Sequence, residues 1–113
     1  MKIFHYDTVK AEDAGEGASK VTIRWLITKK VGAENFAMRL FEMEPDGYSP
    51  LHTHSWEHEV FILKGEGIVF DGEKATAVKA GDVVFVPSDK QHQFKNNGEK
   101  PLKFLCLIPY TKE

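Results

Sequence analysis

The sequence predicts an all-β domain, a sandwich or barrel of short antiparallel strands with little or no helix, and three observations predict it. Apolar, β-branched and aromatic runs of strand length recur from Val21 onward, nearly every run is bounded by Gly, Pro, Asp or Asn, and no stretch repeats apolar residues at helical spacing. Evenly spaced short strands of this kind bury their apolar faces against one another.

Taken in order, the chain opens with an N-terminal arm, residues 1–20. Its second half, Ala11 to Lys20, is rich in Gly, Ala and Glu without an apolar period and reads as loop. The barrel is expected over residues 21–113, with strands at Val21 to Thr28, Phe36 to Met43, His58 to Lys64, Gly67 to Phe70, Lys74 to Val78, Asp82 to Val86, His92 to Lys95 and Leu102 to Ile108. Turns are expected at Glu44-Pro45-Asp46-Gly47, Lys64-Gly65-Glu66-Gly67, Asp71-Gly72, Lys79-Ala80-Gly81-Asp82, Pro87-Ser88-Asp89 and Asn96-Asn97-Gly98, where residues that fix or free φ cluster. Asp71-Gly72 is the strongest hairpin signal among them. The runs Val60 to Leu63 and Val83 to Val86 are apolar on both faces and need cover on both sides, which makes a homodimer the expected assembly.

A length of 113 residues suits a single domain with one core. Lysine and arginine total 15 against 17 acidic residues, interspersed to a net charge of −2, so the chain has no electrostatic footprint for nucleic acid. A small molecule is the expected partner. No signal-peptide core is present at the N-terminus, and no run approaches the ~20 apolar residues needed to cross a bilayer, so a soluble, cytoplasmic protein without a membrane partner is expected. Cys106, the single cysteine, has no internal disulfide partner and agrees with a reducing compartment.

Four of the five histidines fall in two places. His52, His54 and His58 lie in H-T-H-S-W-E-H-E, and His92 follows a turn rich in Pro and Asp. Imidazole is the commonest ligand for transition metals, and positions 52, 54 and 58 share the parity that sends side chains to one face of an extended chain. A metal site built from His52, His54, His58 and His92 is the reading this pattern supports, with His5 left as an ordinary surface residue.

These residues resemble the cupin superfamily of small double-stranded β-helix, or jelly-roll, barrels. Gly47, His52, His54 and Gly65 match the family's first motif, and Gly81, Pro87, His92 and Asn96 match its second. Two departures are visible: one residue fewer than usual separates Gly47 from His52, and Asp89 stands where the second motif has glycine, a mild change because Asp tolerates a left-handed turn. His58 also takes the place at which most members carry a glutamate ligand, and Glu59 fits a looser spacing. Strand alternation puts His58 on the side of His52 and His54 and turns Glu59 away. With His58, the chain resembles small bacterial cupins with a four-histidine site.

The resemblance implies one divalent transition metal ion, with Mn or Fe favoured and Ni, Zn or Cu as the other candidates. Four neutral imidazoles leave the dication's charge uncancelled, so an anionic or enolisable ligand is expected to bind well. An octahedral ion would keep exchangeable positions; a tetrahedral zinc would not. By parity, Phe94 on the strand of His92, and Phe104, Cys106 and Ile108 on the last strand, are expected either to wall a pocket or to pack as ordinary core. Arg39, in an otherwise apolar strand, either anchors a substrate carboxylate or pairs with a surface acid. Trp56 reads as a packing or interface residue.

By analogy with that family, the leading function is a metal-dependent, dioxygenase-like oxidoreductase acting on a small organic molecule, possession of the fold alone being no proof of a reaction. No residue outside the ligand set is placed as a general base, which weighs against a cupin isomerase. The competing readings are a non-catalytic metal-binding or small-ligand-sensing cupin and a structural site closed around zinc.

Overall fold

In the computed structural model, which describes residues 1–110, the chain is all β. Two three-residue 3-10 turns, at Tyr6–Thr8 and Lys29–Val31, are the helical elements among the described residues. The strands are β1 Glu12–Asp13, β2 Ser19–Ile27, β3 Phe36–Tyr48, β4 His58–Lys64, β5 Glu66–Phe70, β6 Ala75–Lys79, β7 Val83–Val86, β8 Gln93–Lys95 and β9 Leu102–Pro109. Their ladders join in one curled antiparallel sheet of order β6-β5-β8-β3-β9-β4-β7, with β2 on the other side of β3 and β1 beyond it. The Asp71-Gly72 hairpin forms as expected: the Asp71 carboxylate accepts from the backbone of Glu73 and Lys74 between β5 and β6.

Two expectations are corrected. Glu44-Pro45-Asp46-Gly47 does not reverse the chain, since β3 runs straight through it to Tyr48. A bend with Asp46 at φ 70° absorbs the irregularity, and the segment keeps its hydrogen bonds because Asp46 and Gly47 exchange them with Asn96. Gly47 is required there, because a Cβ would come within 2.8 Å of the Glu44 carbonyl and 2.9 Å of that of Lys20. The second correction concerns Ala11 to Lys20, which is not all loop: Glu12 and Asp13 pair with Ile23 and Thr22, so the arm is stitched to the edge of β2.

The concave face holds the core, in which Met43, Ile62 and Leu102 are fully buried. Alternation does the sorting in β4, where His58, Val60 and Ile62 point inward while Glu59, Phe61 and Leu63 face out. Asn96 is the one fully buried polar side chain among the described residues of that core. It earns its place by donating to the Met43 and Lys100 carbonyls and accepting from Gly98 N–H, which ties β3 to the turn after β8.

Candidate metal centre

The mouth of the barrel forms where two segments meet. His52 and His92 pair through an isolated antiparallel bridge, each backbone N–H donating to the other's carbonyl, and Asp89 N–H donates to the His54 carbonyl. That bridge carries the two histidine-bearing segments into register. His52, His54 and His92 each present a ring nitrogen, and the three nitrogens lie within 4.8 Å of one another. His52 Nε2 and His92 Nε2 are 3.1 Å apart.

The His92 ring is oriented from behind. Its Nδ1 lies 2.8 Å from the Lys90 carbonyl, which can only accept, so Nδ1 carries the proton and Nε2 keeps its lone pair toward the cluster. Trp56 stacks on His54 with centroids 4.4 Å apart at 13°, which fixes the plane of that imidazole. His58 is buried at the start of β4 and stands outside the three-nitrogen cluster, although its ring lies against it, 4.7 Å from that of His92 and 5.2 Å from that of His54. Its Nδ1 is buried with no hydrogen-bond partner among the described residues. Three histidines, His52, His54 and His92, therefore converge, and His58 stands beside them without joining the cluster. Glu59, the alternative ligand, is exposed on the opposite face of β4.

The electrostatics suit ligation. Burial, reinforced by the neighbouring imidazoles and the Arg39 guanidinium, pushes His52 down to about 4 and His58 down to about 3 from the ordinary 6.5, and lowers His54 as well. The lowered His52, His54 and His58 rings favour the neutral form, which is the one that binds metal.

Behind the histidines lies a cavity of about 220 Å³. Arg39, Phe94, Phe104 and Cys106 line it as the sequence suggests, but Ile108 does not: it sits further along β9, paired with Ala37 and packed against the edge of the core. Arg39 points into the cavity, where its Nη2 donates to Cys106 Sγ at 3.0 Å, and it forms no ion pair among the described residues. Trp25 and Phe41 were missed, although Val21, Ile23 and Trp25 share one parity and could have been read as a lining row. Ala14 and Ala18 of the arm also line the cavity, and nothing in their composition signals it.

A curled antiparallel barrel with a histidine cluster at its mouth defines the cupin class of small-molecule and metal-binding folds. The chain belongs to the cupin family, whose conserved cupin domain matches residues 39–108. It is 36% identical over 96 residues to an oxalate-binding protein of Thermotoga maritima, covering 81% of this chain and 78% of that one. It is 39% identical over 71 residues to a 1-methylthio-D-xylulose 5-phosphate methylsulfurylase of Rhodospirillum rubrum, a match that takes in 63% of this chain but only 46% of the relative. Among solved structures, the polyketide cyclase RemF from Streptomyces resistomycificus superposes with a TM-score of 0.90 at 35% identity, over 96% of this chain and 79% of that one. Among the described residues no helix is long and apolar enough to cross a membrane.

Proposed function

We propose that this chain is a single-domain, metal-dependent cupin enzyme, a dioxygenase-like oxidoreductase acting on a small organic molecule, with His52, His54, His58 and His92 as the ligands of one divalent ion. The observation that carries the reading is the convergence of three imidazoles beside a fourth whose buried Nδ1 has no hydrogen-bond partner among the described residues. An orphaned buried nitrogen is costly, and an ion at the cluster would relieve it. Mn or Fe is favoured, with Ni, Zn or Cu as competitors for an all-nitrogen site. Bound there, the ion supplies a Lewis acid and a redox centre. The protein's own part is to orient His92 through the Lys90 carbonyl, hold His54 against Trp56, and exclude water with the Phe94 and Phe104 rings.

The second reading is a cupin that binds its ligand without turning it over. The cavity lining favours it in one respect: among the described residues, beyond the histidines, it offers Arg39, Cys106 and Ser49, and no carboxylate or lysine to act as a base. The relative named for oxalate binding agrees with a small anionic ligand under either reading.

Protein purified without added metal is expected to carry a stoichiometric divalent ion by elemental analysis, and azide is expected to perturb the spectrum of the Co or Fe form through an exchangeable position. Protein that takes up no ion from Mn, Fe, Ni or Zn overturns the metal reading; an ion unresponsive to every anion moves a closed structural site to first place.

We further propose a cytoplasmic homodimer formed through the convex face of β4 and β7. Phe61, Leu63, Val83 and Phe85 are 43%, 42%, 75% and 56% exposed there, on neighbouring strands. Side by side, they make an apolar patch that a second copy would cover. Phe85→Glu is expected to shift the sedimenting species from dimer to monomer without loss of β structure, and a wild-type protein that sediments as a monomer sinks the proposal.

A further inference from the structure

Arg39 lies at the centre of a row that crosses the sheet. It pairs with Trp25 on one side and Cys106 on the other, and Cys106 pairs in turn with Val60 of β4. The guanidinium is held by aromatic faces, 5.0 Å from the Phe41 ring and 5.5 Å from that of Trp25. Of its five N–H groups, one bonds to a sulfur, and the Nε–H is buried with no partner among the described residues. A thiol is a weak acceptor, and burial pushes the Cys106 thiol up, so it stays protonated and brings no charge. The arginine remains a cation.

Among the described residues, nothing in the cavity balances that positive charge. Its lining, among the described residues, includes histidines, aromatic rings and small apolar side chains, and no aspartate or glutamate. A divalent ion would add to the imbalance. A buried guanidinium without a counter-charge is retained at a cost, and a carboxylate matches its fork of donors. From Arg39 the rings of Phe41, Phe104 and Phe94 step across the cavity in near-parallel stacks, with centroids 5.2 Å and then 4.8 Å apart at 19° and 20°. These three stacked rings give the cavity an apolar aromatic lining beside the cation.

We propose that the cavity recognises an aromatic monocarboxylate, its carboxylate on Arg39, its ring along Phe41, Phe104 and Phe94, and its far end, bearing an oxygen, at the histidine cluster. The proposal rests on the metal-site reading for the role of that oxygen, but not for the carboxylate subsite. It separates this chain from a site for oxalate, which has no apolar body to lay on the rings.

Calorimetry on the metal-loaded full chain tests it with three probes: 4-hydroxybenzoate, its neutral analogue 4-hydroxybenzyl alcohol, and oxalate. 4-Hydroxybenzoate is expected to bind about tenfold or more tighter than the alcohol, as a charge-assisted bidentate contact warrants, and tighter than oxalate. Arg39→Met is expected to abolish the preference for acid over alcohol with metal content unchanged, and Arg39→Lys to restore only part of it. Should Arg39→Met fail to fold, the three probes on the wild-type chain decide. Equal binding of acid and alcohol, tighter binding of oxalate, binding of none of the three, or a preference that survives in Arg39→Met overturns the proposal. A sample that takes up no ion overturns the metal reading alone, because acid against alcohol still tests the Arg39 subsite in that sample.

Discussion

Replacing His92 by alanine is expected to lower metal affinity by far more than the ~10 to 100-fold that follows loss of a supporting residue around a metal. Three roles meet in this side chain. Its Nε2 faces His52 Nε2 at 3.1 Å, its Nδ1–H is anchored on the Lys90 carbonyl, and its ring packs 4.7 Å from that of His58. Alanine keeps the backbone bridge to His52, so the fold has no reason to open, while the converged nitrogens lose one member. Equilibrium competition against a chelator, followed by elemental analysis, reads the loss directly. His5→Ala is expected to change nothing, because His5 is exposed and engaged with Asp7 far from the mouth. The pair His58→Ala and Glu59→Ala settles the fourth ligand: loss of metal from the first alone supports His58, and loss from the second alone replaces it with Glu59.

Much of this site was legible because strands have a simple period. Alternation put His58 on the side of His52 and His54 and turned Glu59 away, and in β4 His58 is buried while Glu59 is exposed. The same rule put Phe94, Phe104 and Cys106 on inward faces, and they line one cavity with Arg39, which stood out as a charge in an apolar strand and not by parity. It failed at Ile108, where parity is right but the strand has already run past the cavity, a matter of distance along β9 that alternation cannot supply. Pro45-Asp46-Gly47 carries every local signal of a reversal, yet tertiary pairing with Asn96 keeps it in a strand, so turn chemistry was spent on a bend. Ala14 and Ala18 were invisible for a different reason. Their place in the cavity comes from the pairing of β1 with β2, and a two-residue strand leaves no period to read.

A glycine pair separates conformational strain from close packing in the same barrel. Gly65 and Gly81 both sit in the left-handed region, at φ 85° and 95°, between strands that feed the core. A Cβ on Gly81 would meet nothing within 4 Å, so Gly81→Ala is expected to cost only the backbone term, about 1 to 2 kcal/mol. A Cβ on Gly65 would lie 2.3 Å from the Pro101 carbonyl oxygen and 3.1 Å from the Leu102 Cα. Both are backbone atoms, and Leu102 is fully buried at the start of β9, so neither can swing aside as a side chain would. Relief requires prising β9 from the β4–β5 corner, where Lys64 pairs with Lys103. Gly65→Ala is therefore expected to cost roughly 3 kcal/mol or more, within the range of severe packing and backbone defects and a large share of the stability of a small domain. Urea denaturation of both variants reads the difference, since the backbone term is common to the two. Equal midpoints would show that the Pro101–Leu102 segment yields freely, and that closure of the barrel at this corner is not what requires glycine at position 65.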